Sequence, residues 1–272
     1  MKPVAVRSIA HSAAAVLAGV VLLALAGCAG LPPGDADAPS AASGPAQGAP
    51  ARASATVQAF GQTWTPQLLP TKTPTVYRVQ QHAGREAIAA RASGSASLLR
   101  KQVRVEPADL GRLRLSWMVE QLIADADMAA RDRDDSPVRV VLAFEGDRSR
   151  FSARDAAASE LSQLLTGEPL PYATLMYVWC NRRPAGTVIE NPRTSRIRQI
   201  VLESGIAGLG RWRDYERDVR ADYERAFGEP PGALVGVALM TDTDNTRSQV
   251  RAWYGAVQWG GGAERPGANP RP

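Results

Sequence analysis

The chain has 272 residues with 32 basic and 27 acidic side chains, a net charge of +5, two cysteines and two histidines. Charges of both signs are interspersed, which argues against a dedicated nucleic-acid surface. With so few sulfur and imidazole ligands, neither a protein zinc site nor a disulfide framework is available.

The first residues read as an export signal. Lys2 and Arg7 form a positive start, and Ala13 to Ala26 form an uncharged apolar run of 14 residues. A bilayer span needs ~20 such residues, so the run fits a signal-peptide core over residues 1–27. It closes on Leu25-Ala26-Gly27-Cys28, which resembles the lipobox of bacterial lipoproteins. That resemblance implies diacylglycerol and fatty acid (palmitate) on Cys28, hence attachment to a membrane. Ala29 follows, not the aspartate that resembles an inner-membrane retention signal, so the expected location is the outer membrane of the cell envelope. Residues 28–56 are Pro, Gly, Ala and Ser with almost nothing large to bury, the composition of a disordered tether. The tail 260–272 reads the same way, leaving 57–259 as a single domain.

Within that span about ten strands are expected. Tyr77–His82 and Glu86–Arg91 flank a turn at Gly84, and Ser97–Val105 follows Gly94. Leu113, Leu115, Trp117 and Val119 alternate with Arg112, Arg114, Ser116 and Met118, the pattern of a half-buried strand. Val138 to Phe144 repeats it. Tyr172–Cys180, Thr187–Glu190, Arg196–Glu203, Ala233–Asp242 and Arg251–Trp259 complete the set. A helix is expected over 153–165, opened by Ser152 with Asp155 in a capping-box spacing. A second is expected over 212–227, where Trp212, Tyr215, Val219, Tyr223 and Phe227 recur every three or four residues and Gly228 closes it. Strands without intervening helices point to a mainly β fold, an all-antiparallel β-sandwich of jelly-roll type with two peripheral helices. The acid-tipped penultimate strand is expected beside the last, aromatic one.

Ser93-Gly94-Ser95-Ala96-Ser97-Leu98, Asp134-Asp135, Tyr177-Val178-Trp179, Arg217-Asp218-Val219, Asp222-Tyr223, Ala226-Phe227-Gly228 and Met240 through Thr246 together resemble the bacterial domain of unknown function 3047. The resemblance spans about Phe60 to Trp259. It implies a sandwich similar to galactose-binding-like folds, and brings no established activity or catalytic residues.

The chemistry-bearing candidates are oxygen-rich. Asp242, Asp244, Asn245 and Thr246 crowd the end of an apolar strand, and the period-two alternation puts Asp242 and Asp244 on one face. Calcium takes six to eight oxygens, so these residues read either as a calcium or ligand site or as an Asx-type turn. An EF-hand is excluded, since its sixth and twelfth positions would be Arg247 and Trp253. Asp134 and Asp135 precede another strand, and are either turn chemistry or, with Asp242 or Glu145, a pair for glycoside cleavage, which needs carboxyls ~5–9.5 Å apart. Trp253 offers a sugar-stacking face if it is exposed. Arg182, Arg183, Arg193, Arg196 and Arg198 group around one connection and suit anionic partners. Arg217 lies on the second helix as a possible ligand contact. Cys180 ends an apolar run and reads as an inert buried thiol, and His82 as polar surface.

Three functions remain open on this reading. The first is a lipid-anchored domain that binds a glycan or other cell-surface ligand without chemistry. The second is a hydrolase using Asp134, Asp135, Asp242 and Asp244. The third is an assembly lipoprotein that binds another envelope protein.

Overall fold

The structure is a computed structural model that describes residues 56–260. The expected signal segment, acylated Cys28, the tether up to residue 55 and the tail beyond Gly260 lie outside the described residues. In chain order the strands are β1 (Val57–Ala59), β2 (Gln62–Leu68), β3 (Val76–His82), β4 (Arg85–Ser93), β5 (Ser97–Val105), β6 (Arg112–Val119) and β7 (Ser136–Phe144). Helix α1 (Ala153–Thr166) follows, then β8 (Ala173–Cys180), β9 (Val188–Glu190), β10 (Ile197–Ser204) and β11 (Arg213–Asp218). Helix α2 (Val219–Phe227) precedes β12 (Leu234–Asp242), β13 (Gln249–Tyr254) and β14 (Gln258–Gly260).

Two curled sheets pack face to face as a jelly-roll sandwich. One runs β1-β2-β5-β12-β7-β8-β10-β9; the other runs β11-β6-β13-β4-β3, with β14 also pairing β6. Alternation decides which side chains meet between them. Leu99 on β5, Val237 and Leu239 on β12, and Val138, Val140, Leu142 and Phe144 on β7 all face the other sheet and are buried with Trp64, Trp117 and Trp179. Each such large side chain contributes about 1.5–3 kcal/mol on burial. The opposite parity, Arg100 and Gln102, Gly236 and Ala238, Arg139 and Ala143, looks outward.

Three expectations are corrected. The wholly antiparallel sheet is broken once, because β10 pairs β8 in parallel. The connection 181–196 is long enough for that crossover, which takes a dozen or more residues, and β9 within it pairs antiparallel with β10. The second helix is half the expected length. Residues 213–218 form β11 against β6, because Arg213, Tyr215 and Arg217 alternate with exposed Asp214, Glu216 and Asp218. Asp218 then caps α2 by accepting from Ala221 N at 3.0 Å. The aromatic spacing of 212–227 spans both elements and reflects burial, not one helix.

The third correction concerns β12, which sits between β5 and β7, whereas β13 belongs to the other sheet. The two meet only across the sandwich. Tyr254 Oη on β13 donates to Met240 O at 2.6 Å and lies 2.8 Å from Thr241 Oγ1. Helix α1 agrees with its capping box: Ser152 Oγ accepts from Asp155 N at 3.1 Å, and Gly167 ends the helix in the left-handed region at φ 78°.

One end of the outer face of the eight-stranded sheet is covered by segment 120–135. There Met128 from segment 120–135 packs on Val178, Cys180, Ile189 and Val201 as a small second core. Cys180 is a buried free thiol. At the other end the face forms the floor of a groove.

Candidate functional site

The acidic residues singled out in the sequence do converge. The register of β7 and β12 sets Asp242 opposite Ser136, so Asp134, Asp135 and Asp242 meet where the two strands begin and end. Arg139 points outward from β7 into their midst. Its Nε donates to Asp242 Oδ1 at 3.1 Å, and its Nη2 donates to Asp242 Oδ2 at 3.2 Å and Asp134 Oδ1 at 3.1 Å. Nη1 donates to Gln199 Oε1. Ser136 N donates to Asp242 Oδ1 at 3.0 Å.

The second Asp134 oxygen accepts from Asn191 Nδ2 at 3.0 Å and Arg193 Nη1 at 3.1 Å. Asp135 accepts from Asn245 N at 3.2 Å, Thr246 N at 2.7 Å and Thr246 Oγ1 at 2.6 Å. The residues are sealed: Asp135 is 0%, Arg139 2%, Asp242 4% and Asp134 7% exposed. Asp-Asp-Ser-Pro is thus more than a surface turn. It is one half of a buried ionic staple that ties segment 120–135 and the loop after β12 to the sheet.

Carboxylate oxygens of Asp135, Asp242 and Asp244 lie within 4.8 Å of one another, which is ion-binding proximity. The chain supplies the compensation itself: Arg139 holds Asp242, Lys72 Nζ pairs with Asp244, and the Asn245 and Thr246 amides with the Thr246 hydroxyl donate to Asp135. Calcium takes six to eight oxygens, and the carboxylates that would lead such a set already have donors. Calcium addition or chelation is therefore expected to leave the melting temperature unchanged. A calcium-dependent rise that Asp244→Ala abolishes would restore the ion-site reading.

Burial pushes the Asp242 carboxyl up to about 7, against the pull of Arg139 and with Asp135 and Asp134 adding to the rise. The unfolded chain releases that proton near the ordinary value of 3.8. Between these values the native state binds more protons than the unfolded one, so the contribution to stability is full below about 4 and is lost as pH rises through about 7. Melting temperature measured from pH 4 to 8 should fall in the wild type as Asp242 ionises and flatten in Asp242→Asn. An unchanged slope in the variant contradicts the assignment.

The remaining candidates lie elsewhere. Trp253, on β13, is 4% exposed and stacks on His82 at 3.8 Å with planes 5° apart, so it presents no face to a sugar. Half-buried His82 is part of that stack. Arg217 is on β11 and grips Asp222 through Nη2 at 2.6 Å and Nε at 2.8 Å, while Tyr177 Oη donates to Asp222 at 2.9 Å. It joins β11, α2 and β8. It lies on a strand and not on the second helix, and its guanidinium is committed to Asp222. The grouped arginines are also paired: Arg193 with Asp134, Arg196 with Glu229, Arg198 with Glu190, and Arg182 and Arg183 with Asp127. That removes most of their pull on an anionic partner.

The accessible recess is on the end of the same sheet face away from segment 120–135. It is a groove of about 1120 Å³ floored by Gly236 and Ala143, which face each other on β12 and β7, with Gln102 of β5 on the other side of Gly236. Small floor residues make it concave. Its walls carry pre-formed ion pairs. Arg100 binds Glu168 through two bonds at 2.5 and 2.9 Å, and Arg104 reaches Glu145 at 3.0 Å and Glu106 at 2.7 Å. The Arg100 hydrogen bonds hold the Glu168 carboxyl below the usual range.

At the far wall Tyr172 packs so closely on Gly146 that a β-carbon there would stand 2.0 Å from the ring. A second hollow of about 540 Å³ shares Arg100 and Glu168, so their bridge forms the ridge between the two. Of the residues that wall the groove, only Glu145 is a functional candidate from the sequence. The polar alternation Arg100, Gln102, Arg104 along β5 was visible, but not which strands would flank it.

No curated protein matches this chain. Among solved structures, the xyloglucanase domain of NopAA, a type three effector from Sinorhizobium fredii, in complex with cellobiose, is 8% identical with a TM-score of 0.41, over 75% of this chain and 97% of that one. A cellulase derived from Cel12A of Rhodothermus marinus is 10% identical with a TM-score of 0.42, over 75% and 94%. The Trichoderma harzianum endoglucanase 3 from family GH12 is 9% identical with a TM-score of 0.42, over 77% and 97%. Residues 62–258, nearly all of the sandwich, match the family described as protein of unknown function (DUF3047), and the chain belongs to that family.

Proposed function

We propose that this domain is a non-catalytic envelope receptor that takes an extended, uncharged polysaccharide strand in the groove across β5, β12 and β7. The groove itself carries the reading. Its walls hold three arginines, Arg100, Arg104 and Arg148, and three glutamates, Glu106, Glu145 and Glu168. Charges so balanced offer rigid donors and acceptors to sugar hydroxyls without selecting a charged ligand. The four carboxylates considered for hydrolysis are unsuited to it: Asp134, Asp135 and Asp242 are buried and saturated, and Asp244 is bound to Lys72. Attachment through acylated Cys28 would hold the receptor at the outer membrane.

Affinity electrophoresis against soluble neutral glucans, xylans and uronate polymers tests this. Retention by a neutral polymer, with none by the uronate, supports the reading; no retention by any polymer refutes it. A second reading, hydrolysis, draws on one observation: Glu145 and Glu168 line the same groove. Release of reducing ends that Glu145→Gln abolishes would establish it over binding alone.

A further inference from the structure

The large apolar side chains left in water are not scattered. Of seven among the described residues, four gather at one edge: Leu68 at 49%, Leu161 at 55%, Leu164 at 82% and Leu165 at 60% exposed. Helix α1 is inside out. A surface helix ordinarily buries its apolar stripe, yet the residues that α1 buries are Asp155 and Ser159. Asp155 accepts from Thr194 and Ser195 hydroxyls, and Arg148 Nη1 donates to Ser159 Oγ at 3.3 Å. Polar bonds thus hold the helix on the body with its leucines turned away. Leu165 and Leu68 line the same hollow, so the ridge continues from α1 onto the end of β2.

The path of the chain indicates what covers the ridge. Strand β1 runs antiparallel to β2 with Val57 opposite Trp64. The N-terminal end of β1 therefore points along β2 toward Leu68. Only 27 residues separate Thr56 from Cys28, a reach of at most roughly 95 Å. The segment Leu161–Thr166 carries no charge, so its contact requires no ion pairing.

We propose that this ridge lies on the bilayer to which Cys28 is attached, with Leu68, Leu161, Leu164 and Leu165 entering the headgroup layer. This goes beyond glycan binding and rests only on the reading that Cys28 is acylated. The lipid anchor supplies proximity; the ridge supplies orientation. Because Arg100 and Glu168 border both the hollow at the ridge and the groove, docking fixes the groove beside the membrane surface.

The test uses the full chain with Leu164→Cys carrying an environment-sensitive thiol label, and a second chain with Arg78→Cys on the exposed face of β3. Cys180 is buried, and labelling of the unsubstituted chain gives the background. With vesicles of phosphatidylcholine and phosphatidylglycerol containing headgroup-proximal spin-labelled lipid, position 164 should shift to the blue and be quenched, and position 78 should do neither. No quenching at position 164, equal quenching at both, or a blue shift at 164 that grows with protein concentration in the absence of vesicles overturns the proposal; the last would identify a second copy as the occupant. In a further chain labelled at Leu68→Cys, adding Leu161→Ser, Leu164→Ser and Leu165→Ser should abolish quenching at position 68 without lowering the melting temperature. Persistent quenching there would also overturn it. Flotation of the unsubstituted chain reports the anchor separately.

Discussion

Replacing Arg139 by methionine is expected to lower the melting temperature by roughly 10–15 °C, the equivalent of about 3–5 kcal/mol for a domain of this size. Methionine keeps the aliphatic volume but leaves Asp242 and Asp134, 4% and 7% exposed, without their shared cation. Gln199 loses its donor as well. Lysine should rescue little, because a single ammonium cannot reproduce the fork that serves both carboxylates and the amide.

The loss should also be larger at pH 8 than at pH 5, since the Asp242 carboxyl is held up to about 7 and is largely protonated at the lower value. Removing the charges together, with Arg139→Met, Asp134→Asn and Asp242→Asn, should recover much of the stability, because the two carboxylates that Arg139 served are then neutral as well, while Asp135 keeps its own hydrogen bonds. Thermal melts of the single and triple variants decide this. Additive losses would contradict the ionic-staple account.

The second large effect is on binding and should leave the fold alone. At Gly236 a β-carbon would meet Ala143 Cβ at 3.6 Å and Lys101 O at 3.9 Å, ordinary contacts. Alanine there should be tolerated, with melting temperature and glycan retention near wild type. Phenylalanine projects from the groove floor into the space between the Arg100–Glu168 and Arg104–Glu145 pairs. It should reduce affinity by a factor of a hundred or more, the equivalent of about 3 kcal/mol, while the protein still melts as a folded domain. If phenylalanine left retention intact, the ligand would have to bind elsewhere.

Much of the fold was legible in local pattern. The alternation in β6 and β7, the Ser152–Asp155 cap and the Gly228 stop each correspond to a structural feature at the expected residue. What failed had competing periods or long-range causes. Arg213 to Asp218 carry both a two-residue alternation and part of a three-to-four spacing, and only pairing with β6 decides between them. The parallel β8–β10 pair depends on where the 181–196 connection leads.

The candidate site was half legible. Asp134, Asp135 and Asp242 stand out in the sequence as candidates whose convergence it leaves open, and Arg139 reads locally as one polar residue in an apolar strand. Its role follows from the neighbours that β12 and β10 bring to it, Asp242 and Gln199. The groove was less visible still, since Gly236, Ala143 and Gln102 become one surface only through the strand order β5-β12-β7.

The separation between a structural acid cluster and a binding groove is tested most directly by affinity electrophoresis of Gly236→Phe and Asp242→Asn on one neutral glucan gel at pH 6, with melts of both proteins. Gly236→Phe should run unretarded with an unchanged melting temperature, and Asp242→Asn should be retarded like the wild type despite any change in its melt. Loss of retention in a fully folded Asp242→Asn, with retention kept in Gly236→Phe, would place the ligand at the carboxylates and contradict the account.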